Sequence, residues 1–231
     1  MPKILSIDTS TEACSASLLI HNEMQVRFEI CPRQHGVKIL PMVDDLLSSA
    51  QIALHNLDAI AVSQGPGSFT GVRLGISVAQ GLSFGSDLPL VPVSTLKALA
   101  FGAFHLASQA DYIVAAMDAK MDEIYYAVYQ TERQKTLKLV GEEQVIPPNF
   151  LPALPADFAT KSIIGCGHGF KIYNETLCKR LGVPFVAKWP EALPNAENIG
   201  WLAKEAFLNH EIVSPQECMP VYLRNKVIQN I

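Results

Sequence analysis

The stretch SQGPGSFTGVRLGISVAQG, residues 63–81, is where this sequence comes nearest to a ligand-binding device. Gly65, Pro66, Gly67, Ser68 and Gly71 follow the apolar run DAIAV and open a segment with helical spacing. A glycine turn at the start of a helix can aim backbone N–H groups at a phosphate. The loop has no P-loop lysine, and its G-x-G-x-x-x-G spacing is one residue longer than the dinucleotide-binding fingerprint. Asp8 closes the strand-like run KILSID, and Asp118 closes YIVAAMD. Carboxylates at such strand ends could hold Mg²⁺ or its waters beside a nucleotide clamped by glycine turns. The plainer alternative gives both aspartates turn positions, where Asp bonds nearby N–H groups, and gives the glycines the task of close backbone approach.

Other catalytic signatures are missing. His21, His35, His55, His105, His168 and His210 never lie three to five residues apart, so no helical two-histidine metal site exists. No G-x-S-x-G elbow occurs. Cys14, Cys31, Cys166, Cys178 and Cys218 are scattered, odd in number and without a Cys-x-x-Cys pair, which suggests reduced, mostly buried thiols. The chain of 231 residues is 49% hydrophobic and 17% charged, with a net charge of −4. No basic stripe is present, which argues against nucleic-acid binding by this chain alone. Asp8 interrupts the first apolar stretch, and Pro92, Lys97 and His105 break the run from Leu88 to Ala110. We therefore expect neither a signal peptide nor a membrane span, and a soluble, cytoplasmic chain.

The elements that would position these residues follow from hydrophobic period. KILSIDT, ACSASLLIH and MQVRFEI read as three strands, and Ile39, Leu40, Val43, Leu46, Leu47 and Ala50 place a helix over 37–50. DAIAV is a strand, Gly71–Phe84 a helix, LPLVPV a strand, and STLKALAFGAFHLA a helix with Ser94 as N-cap. YIVAAMDAKMDEIYYAVYQ and TLKLVGEEQVI then repeat the three-strand opening. SIIGCGHGFKIYNETLCKRL, with Gly165, Gly167 and Gly169, repeats the strand–turn–helix of the glycine loop, and the Pro-rich PPNFLPALP is a loop between. The expectation is an α/β protein of two βββαβα halves with mixed sheets, divided as residues 1–109 and 110–231. Ligands in such folds sit at strand ends in the crevice between halves.

The helix after the glycine loop carries two stripes of small residues. Gly71, Gly75, Ala79 and Ser83 form one, and Ser77, Gly81 and Gly85 the other. Glycine inside a helix costs about 1 kcal/mol relative to alanine, so such stripes suit the close approach of another element. With the wide apolar face of the 37–50 helix, they suggest an interface built on two helices.

Taken together, ILSIDTSTEACSASLL, HGVKILPMVDDLL, the stretch from SQGPGSFTGVRLG to STLKALA, DAKMDEIYYAVY and the tail PVYLR closely resemble the TsaB (YeaZ) family. That family belongs to the bacterial machinery for threonylcarbamoyladenosine on transfer RNA. The resemblance is dense over residues 1–130 and thinner beyond. It implies an actin-like (ASKHA) fold and a non-catalytic paralogue of the transferase TsaD. The His-x-x-x-His metal motif of TsaD corresponds to Thr95 and Leu99 here, so no metal and no catalytic residue is expected.

Asp8, Gly65, Pro66, Gly67, Ser68, Gly71 and Asp118 then form a vestigial nucleotide loop, with no cofactor required and weak nucleotide binding still open. The resemblance further implies a homodimer when alone, the same helices pairing with TsaD, the ATPase TsaE joining that complex, and transfer RNA contacted only indirectly. We assign the interface to Leu40, Val43, Leu47, Val72, Gly75, Val78, Ala79 and Leu82, and expect Gly75→Glu or Val78→Glu to abolish pairing in a folded monomer. An actin-like ATPase or phosphotransferase acting alone is the alternative, with Asp8 near Mg²⁺. A metallopeptidase or an unrelated interaction module fits the residues less well.

Overall fold

Two sheets with the same strand order organise the chain, which the computed structural model describes over residues 1–107, 109–132 and 136–224. In the first, β1 (Ile4–Asp8), β2 (Ala13–Ile20), β3 (Glu23–Ile30), β4 (Ala59–Gly65) and β5 (Leu90–Ser94) lie in the order β3-β2-β1-β4-β5. β1 is antiparallel to β2 and parallel to β4. In the second, β6 (Tyr112–Lys120), β7 (Glu123–Thr131), β8 (Leu137–Ile146), β9 (Ile163–Cys166) and β10 (Phe185–Trp189) lie in the order β10-β9-β6-β7-β8. There β6 is antiparallel to β7 and parallel to β9, so the duplication read from element types is real in both order and direction.

Three helices follow the strands of the first half: α1 (His35–Ser49), α2 (Phe69–Ser86) and α3 (Thr95–Leu106). The Ser68 hydroxyl accepts from Gly71 N at 3.3 Å to cap α2, and Ser94 Oγ accepts from Lys97 N at 3.1 Å at the start of α3. The second half supplies α4 (His168–Ile172), α5 (Asn174–Leu181) and α6 (Ala196–Leu208). β10 and α6 complete the repeat but are not singled out by periodicity alone. Two short 3-10 turns, Pro148–Phe150 in the Pro-rich loop and Ala156–Thr160 just after it, stand where the first half has α1.

Strand alternation divides the first sheet into two unlike faces. Leu5 and Ile7, Cys14, Ala16 and Leu18, and Ile60 and Val62 join α1 and α2 in one apolar core. Ser6, Asp8, Ser15, Ser17 and Ser63 take the alternate positions and are fully or almost fully buried. α6 packs on β1, β2, β4 and β5. Two of these serines anchor its first turn: Ser15 Oγ accepts from Ala196 N at 2.9 Å, and Ser17 Oγ donates to Ala196 O at 2.7 Å. A Cβ at Gly200 would come within 3.1 Å of Ser6 Oγ, so glycine lets α6 sit down on the sheet. The second sheet has its own core, with Val114, Ala116, Ile124, Tyr126, Phe170, Leu177 and Leu181 among its members.

These contacts move the domain division away from the expected cut at 110. One unit is Met1–Ala98 with Pro194–Val221, and the other is Leu99–Leu193 with the chain from Tyr222. The reason is the burial just described, because α6 belongs to the second repeat in sequence and to the first sheet in packing. The expected second lobe, 110–231, also ends in residues 225–231, which lie outside the described residues.

Candidate functional site

The glycine loop is closed by the chain's own backbone. Gly65 has φ +105°, where a side chain is strained, and a Cβ there would stand 2.8 Å from the carbonyl oxygen of Val221. Val221 N donates to Gln64 O at 2.8 Å, so the PVYLR tail lies directly against the loop. Gln80 of α2 holds the approach to that tail, donating from Nε2 to Pro215 O at 2.9 Å and Cys218 O at 3.1 Å. On the other side, a Cβ at Gly67 would come 2.5 Å from Ser10 O, and one at Gly71 2.1 Å from Thr9 O. Ser68 N already donates to Ser10 O at 2.8 Å, and Gly71 N to Ser68 Oγ. The N–H groups that a phosphate would need at Ser68 and Gly71 are committed within the fold, and the residues do not fit an anion cradle as they stand.

Asp8 lies fully buried beside this loop. Its Oδ1 accepts from Ser63 Oγ at 2.6 Å and from Ser10 N at 3.0 Å, while Oδ2 has no partner among the described residues. Burial raises its pKa above the ordinary carboxylate range, against the smaller opposing effects of Ser63, Ser10 and His35. Asp118 is not its equal: its Oδ1 accepts from Lys120 N at 2.9 Å and its Oδ2 pairs with the Lys120 ammonium. The second glycine turn is closed as well, since a Cβ at Gly167 would meet Ala116 O at 2.5 Å.

Thr95 and Leu99, aligned by resemblance with the transferase's metal histidines, are both buried. Among the described residues, no group of three or more His, Cys, Asp or Glu side chains could hold a metal ion. No described helix is long and apolar enough to cross a membrane. All five cysteines are unpaired, and only Cys178 is more than marginally exposed.

The assigned interface divides in two. Val43, Val72, Gly75 and Ala79 are buried in the chain's own core, so they cannot meet a partner in this conformation. A Cβ at Gly75 would stand 2.7 Å from Thr9 Oγ1 and 3.6 Å from Val62 Cγ2. The Gly71–Gly75–Ala79–Ser83 stripe thus brings α2 onto its own sheet, and Gly75→Glu would break the core rather than a contact. Leu47, Val78 and Leu82 are half-buried, and Leu40 is 49% exposed. The second stripe faces out: Ser77, Gly81 and Gly85 are exposed, and a Cβ at Gly81 or Gly85 would meet nothing within 4 Å. Val37 on α1 (70% exposed) and Phe84 on α2 (77%) share that exposure and were not in the assignment. Helical spacing alone finds both stripes; it does not say which one the sheet takes.

A family model described as TsaD, tRNA N6-adenosine threonylcarbamoyltransferase, matches residues 22–228. The chain is 38% identical to the tRNA threonylcarbamoyladenosine biosynthesis protein TsaB of Haemophilus influenzae, over 97% of this chain and 94% of that one. It is 31% identical over 132 residues to the tRNA N6-adenosine threonylcarbamoyltransferase of Chlorobium phaeobacteroides, covering 48% of this chain and 37% of that one. The structure of YeaZ from Pseudomonas aeruginosa superposes with a TM-score of 0.87 at 42% identity, covering 96% of this chain and all of that one. With its two mixed five-stranded sheets and packed helices, the fold is the actin-like α/β fold.

Proposed function

This chain belongs to the TsaB family of tRNA threonylcarbamoyladenosine biosynthesis proteins, and on that premise we propose that it serves this modification as a non-catalytic partner subunit. It pairs with the transferase TsaD, and the pair recruits the ATPase TsaE for threonylcarbamoyl transfer to the adenosine beside the anticodon of transfer RNAs reading ANN codons. Alone, it forms a homodimer through the same surface. It works in the cytoplasm, needs no cofactor of its own and touches transfer RNA only through the complex.

The observation that carries this reading is the outward face of α1 and α2. Val37, Leu40 and Phe84 are exposed apolar side chains, Val78 and Leu82 are half-buried beside them, and Gly81 belongs to an open small-residue stripe on these adjoining helices. Exposed apolar surface of this kind marks an interaction site, and the small stripe lets a partner helix come close. The committed donors of the glycine loop support a chain that has no phosphoryl chemistry of its own.

A reconstituted reaction tests it. Transfer RNA, threonylcarbamoyl-adenylate, TsaD and TsaE are combined with and without this chain. The reading expects modification to be lost on omission, and no ATP hydrolysis by this chain alone. Modification at an undiminished rate without it, or Asp8-dependent ATP turnover by the isolated chain, would overturn it.

A further inference from the structure

Cys178 is the half-exposed thiol of a chain whose other cysteines are buried. It lies on α5 and faces the edge strand β10, where Lys188 Nζ stands 3.4 Å from its sulfur. Asn174 Oδ1, one turn earlier on α5, accepts from the same ammonium at 2.8 Å and lies 3.8 Å from Cys178 Sγ. The Lys188 side chain is exposed, so an oxidant in solution reaches both reacting atoms. Burial pushes the Cys14 thiol up to about 12 and Cys218 up to about 11, which keeps those two protonated and slow to react.

We propose that Cys178 and Lys188 are an oxidative modification site, at which hydrogen peroxide joins sulfur to nitrogen through one oxygen atom. In the first step Cys178 Sγ attacks the peroxide, gains the hydroxyl oxygen and becomes a sulfenic acid, and one water leaves. The Lys188 ammonium releases a proton to solvent. A second molecule of hydrogen peroxide then takes up two electrons as the sulfenic oxygen bonds to Nζ. The sulfenic hydroxyl and the amine each give up one hydrogen, and two further waters leave. The product, Sγ–O–Nζ–H, pins α5 to the edge of the second sheet. A single oxygen spans a 3.4 Å gap with less movement than a direct sulfur–nitrogen bond requires.

The test uses the purified full-length chain, hydrogen peroxide and peptide mass mapping. The proposal expects a gain of about 14 Da, one oxygen in and two hydrogens out, with the peptides carrying positions 178 and 188 joined. That product should disappear in Cys178→Ser and in Lys188→Arg, each of which changes a half-exposed or exposed side chain conservatively and should melt like the parent. Sulfinic acid at position 178 without joined peptides, a disulfide-linked dimer instead, or joined peptides that persist in Lys188→Arg would each overturn it.

Discussion

Asp8 shows how misleading a residue type can be when its surroundings are unknown. The sequence makes it a candidate metal ligand at a strand end; the structure buries it with one oxygen unpartnered. Because burial raises its pKa, the folded chain holds the proton to higher pH than the unfolded chain does. Its contribution to stability is therefore intact below the unfolded-state value of about 4 and declines as pH rises toward the folded one. Asp8→Asn keeps the Oδ1 acceptor and removes the titration. The gap between variant and parent melting temperatures should grow in the variant's favour from pH 4 to pH 8, and a constant gap would refute the assignment. The glycines separate in the same way. Gly71→Ala should destabilise by about 2 kcal/mol or more, because its Cβ would stand 2.1 Å from Thr9 O. Gly81→Ala, with open space around it, should stabilise the isolated chain by about 0.5–1 kcal/mol. Denaturant titration of both checks the contrast.

At the scale of elements, α2 was legible as a helix and illegible as an orientation. Its period places Gly75 and Gly81 on different stripes, but which stripe the sheet claims depends on Thr9 and Val62, more than ten residues away in sequence. The same limit applies to the glycine loop. Its turn chemistry is visible locally, whereas its occupant, the Val221 backbone, arrives from the far end of the chain in a tail with no periodic signal. α6 was missed for a related reason: its buried positions Ala196, Ile199, Gly200 and Ala203 include small residues that carry little hydrophobic signal. Small residues matched to a serine-lined sheet face are a packing device that becomes visible only when both surfaces are in hand. The strands other than β10, by contrast, were legible, because alternation and turn residues are local.

For the whole molecule, the duplication was readable from element order, and the sheets bear it out strand for strand. The division into units was not, since α6 leaves its own repeat to cover the first sheet. A chain that keeps an actin-like frame but closes both glycine turns with its own backbone has kept the architecture and given the space to packing. The α1–α2 face keeps exposed apolar side chains beside an open small-residue stripe. The central claim is that this face pairs with TsaD, and titration calorimetry between the two purified proteins tests it most directly. Gly81→Arg adds bulk and charge where the isolated chain has open space, so the variant should melt like the parent. The account predicts that it loses measurable binding to TsaD, while Lys138→Glu on the exposed edge strand β8 binds as the parent does. Undiminished binding by a folded Gly81→Arg variant would contradict it.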